Sequence, residues 1–115
     1  MSTLRVNTLQ DATGSNQPAM VGAAKAWVNF NGTGTVAIRA AFNVSSITDN
    51  GTGDYTVNFT TAMPDANYAI TTSIGERRFH GFVDTSLTVN SFRVTSKVPD
   101  NDFNDPTMYC VAVFR

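Results

Sequence analysis

The sequence predicts an all-β fold, an antiparallel β-sandwich of about seven strands with an extended N-terminal arm. Apolar and polar residues alternate along several stretches, which is the pattern of strands that bury one face. Turn signals rich in glycine, asparagine and proline separate these stretches at regular intervals. Helical periodicity never lasts long enough to compete with the alternation. Short strands at this spacing over about ninety residues are typical of a sandwich.

The chain divides into two parts of different composition. Residues 1–24 hold one short strand-like stretch, followed by a connector of glycine, proline and alanine that has little to pack. We therefore predict an extended arm that becomes ordered on a partner surface. Residues 25–115 carry the remaining strand signals, and a chain of 115 residues is typical of a single domain.

The first two predicted strands form a hairpin. Residues 26–30 place three apolar side chains on one face and Trp27 on the other. The next strand has a predicted apolar face of five residues: Val36, Ile38, Ala40, Phe42 and Val44. In the intervening turn, Asn31-Gly32 and Gly34 are expected to supply the positive φ angles of a tight hairpin.

The remaining strands follow at similar spacing. Asn50-Gly51 marks a second turn, after which residues 55–59 alternate again. A Met-Pro-Asp corner at residues 63–65 then leads into further strand signals within residues 67–75, 82–98 and 107–115. Both faces of the first and of the C-terminal strand carry large apolar groups. Such strands are either central in a sheet or covered by another subunit.

The surface must be built largely from uncharged polar groups. Only 15% of the residues are charged, against about 25% in average globular proteins. The formal net charge of -1 provides no positive field that would attract nucleic acid or an anionic membrane. We therefore expect neither as a partner, and the low net charge favours self-association.

The sequence also indicates where the chain is made. No basic start followed by an apolar core is present, and no apolar run approaches the roughly twenty residues of a membrane span. We expect synthesis and folding in a cytoplasm and no membrane insertion. Cys110, the single cysteine, cannot close an intrachain disulfide, and its apolar neighbours predict a small buried hydrophobe.

No catalytic residue, cofactor or metal site is predicted. The letters GTGTVA at residues 32–37 match a dinucleotide-binding pattern only superficially, because that pattern must open a helix and this segment alternates like a strand. His80 is the single histidine, and no nucleophile elbow, P-loop or Cys/His zinc spacing is present. We do not expect an enzyme.

The first of two polar loops contains candidate binding residues. The stretch GERRFHGF places Arg77, Arg78, Phe79 and His80 in succession. Forked guanidinium hydrogen bonds and ring stacking suit the recognition of a carboxylate or a sugar. The alternative is a polar turn whose charges form salt bridges between subunits.

The second loop, PDNDFNDP, places Asp102, Phe103 and Asn104 among other acidic residues. Oxygen ligands this close together suit Ca²⁺, but the glycine and distal glutamate of an EF-hand are missing, and aspartate and asparagine also favour plain turns. We predict a turn without a metal. Phe103 is either an exposed aromatic residue for binding or a plug into a neighbouring subunit.

The segment AKAWVNFNGTGTVAIRAAFNVSSITDNGTGDYTVNFTTAMPDANYA, with its C-terminal strand ending in an aromatic residue, resembles a domain of tailed bacteriophages. That domain occurs at the ends of tail-fibre and related virion structural proteins, especially in marine and cyanobacterial phages. The likeness is strongest from residue 24 to 69, where Trp27, both Asn-Gly turns, Tyr55 and the corner at 63–65 occur in order. It fades from residue 70 onward, and the chain has no long fibrous shaft.

The resemblance implies a homotrimer in the virion of a phage, made in the host cytoplasm. In this hypothesis the arm binds other virion proteins through Leu4, Val6 and Leu9, and the outer loops contact a glycan or protein of the host surface. An architectural part without receptor binding, such as a capsid decoration protein or a tail adaptor, is the alternative. A free-standing carbohydrate-binding module is a third possibility.

Overall fold

Two antiparallel four-stranded sheets pack face to face in the computed structural model, which describes residues 23–100 and 102–115. The predicted all-β class is confirmed, because all the regular secondary structure in these ranges is β-strand. The described strands are β1 (Ala24–Asn31), β2 (Ala37–Phe42), β3 (Val44–Gly51), β4 (Asp54–Phe59), β5 (Ala69–Ile74), β6 (His80–Val83), β7 (Ser91–Lys97) and β8 (Tyr109–Phe114).

The first and last strands of the sandwich lie side by side. Sheet A has the order β2-β1-β8-β5, and sheet B has the order β3-β4-β7-β6. Strands β1 and β8 are therefore central in sheet A, which is one of the two positions that their apolar composition predicts. The predicted arm residues Leu4, Val6 and Leu9 lie outside the described ranges.

The core lies between the sheets and comes mainly from the inward faces of β1, β4, β7 and β8. Along β4, three predicted apolar residues alternate with polar ones and are buried. The apolar core residues are Ala26, Val28, Phe30, Tyr55, Val57, Phe59, Met63, Tyr68, Phe92, Val94, Tyr109, Val111 and Val113. Period-two alternation thus identifies most of the core directly.

The described residues form eight strands where the sequence predicts about seven. The predicted strand of residues 36–44 ends at Phe42 as β2, and a further strand, β3, begins at Val44. Asn43 has a φ of 54° and turns the chain out of sheet A into sheet B. Asparagine tolerates this left-handed conformation better than most residues. Its side-chain amide donates to the carbonyls of Lys25 (3.2 Å) and Thr61 (3.1 Å), and its Oδ1 accepts from the Thr61 amide (2.7 Å). This residue therefore forms a fixed corner between β2 and β3.

A β-bulge changes the facing of β2. Asn29 pairs with Ala40 but Phe30 pairs with Ile38, so that Arg39 is the extra residue. An extra residue reverses the side-chain alternation beyond it. Ile38 therefore faces the inner side and Phe42 the outer side, and the prediction of a single apolar face from Val36 to Val44 is wrong.

The outer face of sheet A carries exposed aromatic side chains on β1 and on the edge strand β2. Trp27 is 40% exposed and Phe42 is 46% exposed, and the two are register partners. Cys110 lies on the same face and is half-buried. The prediction of a buried cysteine is wrong, because in β8 the buried positions are its neighbours Tyr109 and Val111.

The β1–β2 turn uses its glycines in two different ways. Gly34 has the predicted positive φ, at 60°. The same expectation for Asn31 and Gly32 is wrong, since neither has a positive φ. Gly32 is instead required for space, because a Cβ at this position would collide with the hydroxyl of Tyr55.

That hydroxyl forms a buried connection between three parts of the chain. Tyr55 donates to Oδ1 of Asp105 (2.8 Å) and lies 3.1 Å from the Gly32 carbonyl. The same Asp105 oxygen accepts from the Gly53 amide (2.7 Å). Burial raises the pKa of Tyr55, so the phenol stays protonated and remains a donor. The loop before β8 is thereby tied to the β1–β2 turn and to the start of β4.

Replacing Asp105 by alanine tests this connection. The change leaves the Gly53 amide without its acceptor and removes one of the two acceptors of Tyr55, so we expect a loss of about 2–3 kcal/mol in the free energy of unfolding. Urea denaturation measures this loss. Asp100→Ala, at an exposed aspartate of the same loop, is the matched control and is expected to change stability by less than about 0.5 kcal/mol. Equal effects of the two changes would contradict the role of Asp105.

Candidate functional site

The two predicted binding loops lie next to each other. The loop of residues 75–79 connects β5 to β6, and the loop of residues 98–108 connects β7 to β8. Glu76 accepts hydrogen bonds from the amide and the hydroxyl of Thr107, and the Gly75 amide donates to the Met108 carbonyl (3.0 Å). These contacts hold the first loop against the second.

The ends of the two loops lie on either side of Lys97, on the outer face of sheet B. In the β6–β7 ladder His80 is the register partner of Lys97, and Phe103 forms an antiparallel bridge to Lys97 on the other side. Phe82 follows His80 by two residues and so lies on the same outer face of sheet B. We call the set Arg77, Arg78, His80, Phe82, Lys97 and Phe103 the basic–aromatic surface.

Two phenylalanine rings of this surface lie beneath one ammonium group. The Nζ of Lys97 is 4.6 Å from the ring centroid of Phe103 and 5.9 Å from that of Phe82. Cation–π attraction of this kind contributes about 0.5–1 kcal/mol at exposed sites. The rings remain accessible, with Phe82 51% and Phe103 46% exposed. The arrangement offers flat apolar faces beside a positive charge.

Gly81 allows β6 to lie close to the core. A Cβ at Gly81 would come within 2.7 Å of Oγ1 of Thr72 and 2.8 Å of the Tyr109 hydroxyl oxygen. Real Cβ atoms do not approach other atoms this closely, so a side chain here would push β6 outward. The absence of a side chain at Gly81 therefore fixes the positions of His80 and Phe82 on the opposite face of the strand.

The arginines of the described residues fall into two groups. Arg39 donates to the Thr107 carbonyl (2.6 Å), Arg93 forms a two-pronged pair with a carboxylate, and so does Arg115. Arg77 and Arg78 are exposed, and within residues 23–100 and 102–115 neither guanidinium makes a hydrogen bond or ion pair. These two adjacent guanidiniums are available to an external acceptor.

One carboxylate of the neighbouring surface is paired with a cation. Asp54 lies on the outer face of sheet B, and the hydrogen bonds that it accepts from Arg93 lower the pKa of its carboxyl group. At the far end of the domain, the hydrogen bonds of Arg115 lower the pKa of Asp65 to about 2. Because Arg93 neutralises Asp54, that carboxylate does not cancel the positive charge of the basic–aromatic surface.

Arg78 is held in an uncommon backbone conformation. Its φ is 70°, in the left-handed region that costs a non-glycine residue about 1–2 kcal/mol. Such residues cluster at functional sites, where the surrounding structure enforces them. The conformation turns the chain into β6 and places two exposed guanidiniums at the tip of the turn.

The other predicted site residues differ in how far they are exposed. Phe79 is half-buried, whereas the side chain of Asp102 is exposed next to Phe103. Asn104 is half-buried, and its backbone amide donates to the Ser96 carbonyl (3.1 Å). Asn104 thus anchors the loop through its backbone.

Sequence reasoning did not select Phe82 and Lys97. The signal for Phe82 was its spacing of two from His80, which places both residues on one face of a strand. Lys97 gave no such signal, because its role depends on the pairing of β6, β7 and the second loop.

The described residues hold no group of three or more histidine, cysteine, aspartate or glutamate side chains placed to bind a metal ion. In the second loop, one oxygen of Asp105 already accepts from Tyr55 and Gly53. The basic–aromatic surface combines hydrogen-bond donors with ring faces, which suits the binding of an acidic or sugar-like ligand.

Comparisons of the chain with protein-family models, with curated proteins and with solved structures give no match. Among the described residues, no helix is long and apolar enough to cross a bilayer.

Replacing Arg78 by glycine tests the strain in this turn. Glycine adopts a positive φ without steric cost, so we expect the free energy of unfolding to stay the same or to rise by up to about 1 kcal/mol. Arg77→Gly is the matched control, because Arg77 has no positive φ; there we expect a loss of about 0.5–1 kcal/mol. Thermal unfolding measures both, and equal losses would contradict strain at Arg78.

Proposed function

We propose that this chain is a virion structural protein of a tailed bacteriophage, a tail-fibre-like domain that contacts the host surface. The resemblance described above supplies the family, and the β-sandwich is compatible with it. In this proposal the domain is a homotrimer attached to the particle through residues 1–24. The basic–aromatic surface carries the host contact.

One observation carries the receptor-binding part of the proposal. Arg77 and Arg78 make no hydrogen bond or ion pair with the described residues, and they lie in the turn that leads into β6, the strand of the exposed Phe82. A structural turn would gain by pairing such guanidiniums internally, as Arg93 and Arg115 do. Unengaged donors beside ring faces favour recognition of a carboxylate-bearing or hydroxyl-rich surface group.

The architectural alternative is supported by a different feature. The low charge of the chain and the exposed apolar side chains of sheet A suit a part that is buried in a larger particle. A capsid decoration protein or tail adaptor of this kind would have no need of the basic–aromatic surface.

Competition with phage adsorption separates the two proposals. Purified full-length chain should block adsorption of the phage that encodes it, and a variant with Arg77→Ala and Arg78→Gly should require at least about ten times more protein for the same inhibition. The glycine at residue 78 retains the turn, so a loss of inhibition reflects the missing guanidiniums.

The charge-matched control carries Arg39→Gln and Arg115→Gln, which remove two positive charges outside the surface. We expect it to inhibit like the wild type. Equal loss in both variants would indicate a general charge effect, and no inhibition by the wild type would favour the architectural role.

Deletion of residues 1–20 tests the attachment segment. We expect the truncated chain to retain the circular dichroism spectrum of the folded domain but to be missing from purified particles when they are analysed by mass spectrometry. An unchanged content of the truncated chain in the particles would overturn attachment through the arm.

A further inference from the structure

The outer face of sheet A contains a groove that runs along β8. Its floor is formed by the small side chains of Cys110 and Ala112, which alternate with the buried residues of that strand. Trp27 on β1 is the register partner of Ala112 on one side of the groove, and Thr71 on β5 is its partner on the other. The groove has a volume of about 390 Å³, and its lining among the described residues includes no charged side chain.

Aromatic rings surround the end of the groove at which β1 begins. Phe42 is the register partner of Trp27, and both side chains are exposed. Phe114 is half-buried on the same outer face and pairs with Ala24, the first residue of β1. Exposed apolar side chains that lie together are typical of a surface that binds a partner. These rings lie where the chain of residues 1–22 enters the sheet.

The groove has the dimensions of a single extended segment. A strand of six residues is about 20 Å long, and side chains on one side of it are two residues apart, as Cys110 and Ala112 are on β8. The whole outer face measures about 400 Å², half of the roughly 800 Å² per partner that a standard contact between folded proteins buries. The area therefore suits a strand-sized segment better than a second folded domain.

Residues 4–9 of this chain match the groove in length and in pattern. Their sequence, LRVNTL, alternates, so that a strand places Leu4, Val6 and Thr8 on one side and Arg5 on the other. The first side is uncharged and begins with two branched apolar residues. It is complementary to an uncharged floor of small side chains bordered by aromatic rings.

Residues 10–22 connect this segment to β1. A connector of that length spans up to about 40 Å when it is extended, which is twice the length of the face. Gly14, Pro18 and Gly22 are residues that favour reversals of the chain. The tether gives the segment a local concentration on the order of millimolar beside the groove. Residues 4–9 can therefore reach the groove of their own chain without help from another molecule.

We propose that residues 4–9 lie in this groove of their own chain, with Leu4 and Val6 on its floor. The proposal goes beyond the proposed function, in which the same segment attaches the domain to the particle. The free chain then keeps Leu4 and Val6 covered, and a virion protein must displace the segment before it can bind these residues. This regulatory consequence rests on the proposed function, whereas the position of the segment does not.

Two residues of the groove report on its cover in the full-length chain, because Trp27 is the single tryptophan and Cys110 the single cysteine. A variant with Leu4→Ser and Val6→Ser should shift the fluorescence emission of Trp27 to longer wavelength. It should also speed the alkylation of Cys110 by iodoacetamide at least about tenfold, since a segment bound for about nine-tenths of the time leaves the thiol open for the rest.

Leu9→Ser is the matched control. A strand places Leu9 on the side opposite Leu4 and Val6, so we expect the emission of Trp27 and the alkylation rate of Cys110 to equal those of the wild type. Equal effects of Leu9→Ser and of the double variant would contradict the contact through alternate residues.

Ala112→Glu tests the contact from the groove. A charge on the floor should expel the apolar segment and shift the emission of Trp27 as the Leu4 and Val6 changes do. Combined with those two changes, Ala112→Glu should cause little further shift, because the segment has already left the groove. A shift of the same size in both backgrounds would be a direct effect of the new carboxylate on Trp27 and would overturn the proposal.

Two further outcomes overturn the proposal. Emission and alkylation that do not respond to the Leu4 and Val6 changes would show that residues 4–9 do not cover the groove. Protection of Cys110 that disappears on dilution of the wild type would assign the cover to another copy of the chain. The content of the same variants in purified particles is measured separately by mass spectrometry, so that a failure of attachment is distinguished from a failure of this contact.

Discussion

The hydrogen bond from the Tyr55 hydroxyl to Asp105 is the interaction on which the arrangement of the loops depends. It joins β4 to the connection between β7 and β8, and Gly32 must lack a side chain for the hydroxyl to reach its place. The ring of Tyr55 packs edge-on against Phe30, 5.1 Å between centroids, and Phe30 stacks on Tyr109 at 5.4 Å. Core packing thus fixes the phenol, and the phenol fixes the loop. Phe103 lies two residues before Asp105, so its position beside Lys97 depends on this buried bond.

The two outer faces of the sandwich have different chemistry although they belong to one small core. Sheet B presents polar and charged groups, including the paired Asp54 and Arg93, and has its exposed rings at the β6 side and in the second loop. The outer face of sheet A has exposed aromatic residues at its β2–β1 side, the half-buried Phe114 on β8, and Arg39, which donates to Asn29. A face with exposed aromatic residues suits burial against another surface, whereas a face with unengaged donors suits a ligand that arrives from water.

Local patterns were sufficient to predict the fold class, the core of β1 and β4, and the two polar loops. The eighth strand was missed because only the left-handed backbone of Asn43 separates β2 from β3, and the apolar alternation continues through it. The facing of Phe42 was wrong because a bulge depends on pairing with β1, which no single strand reveals. Likewise Lys97 joins the candidate site only through its neighbours in the ladder. These features depend on which strands pair with each other. The alternation of residues along a single strand does not show that pairing.

The connection between β7 and β8 is anchored at one end and open at the other. Asp105 and Asn104 fix its C-terminal part through buried or backbone hydrogen bonds, while residues 99, 100 and 102 are exposed. Substitutions or insertions in that exposed stretch would leave Tyr55, Asp105 and the core contacts intact. Specificity for a surface group can therefore change in this loop without a matching loss of folding stability. If the proposed host contact is correct, a scaffold built in this way would allow rapid adaptation to a new host.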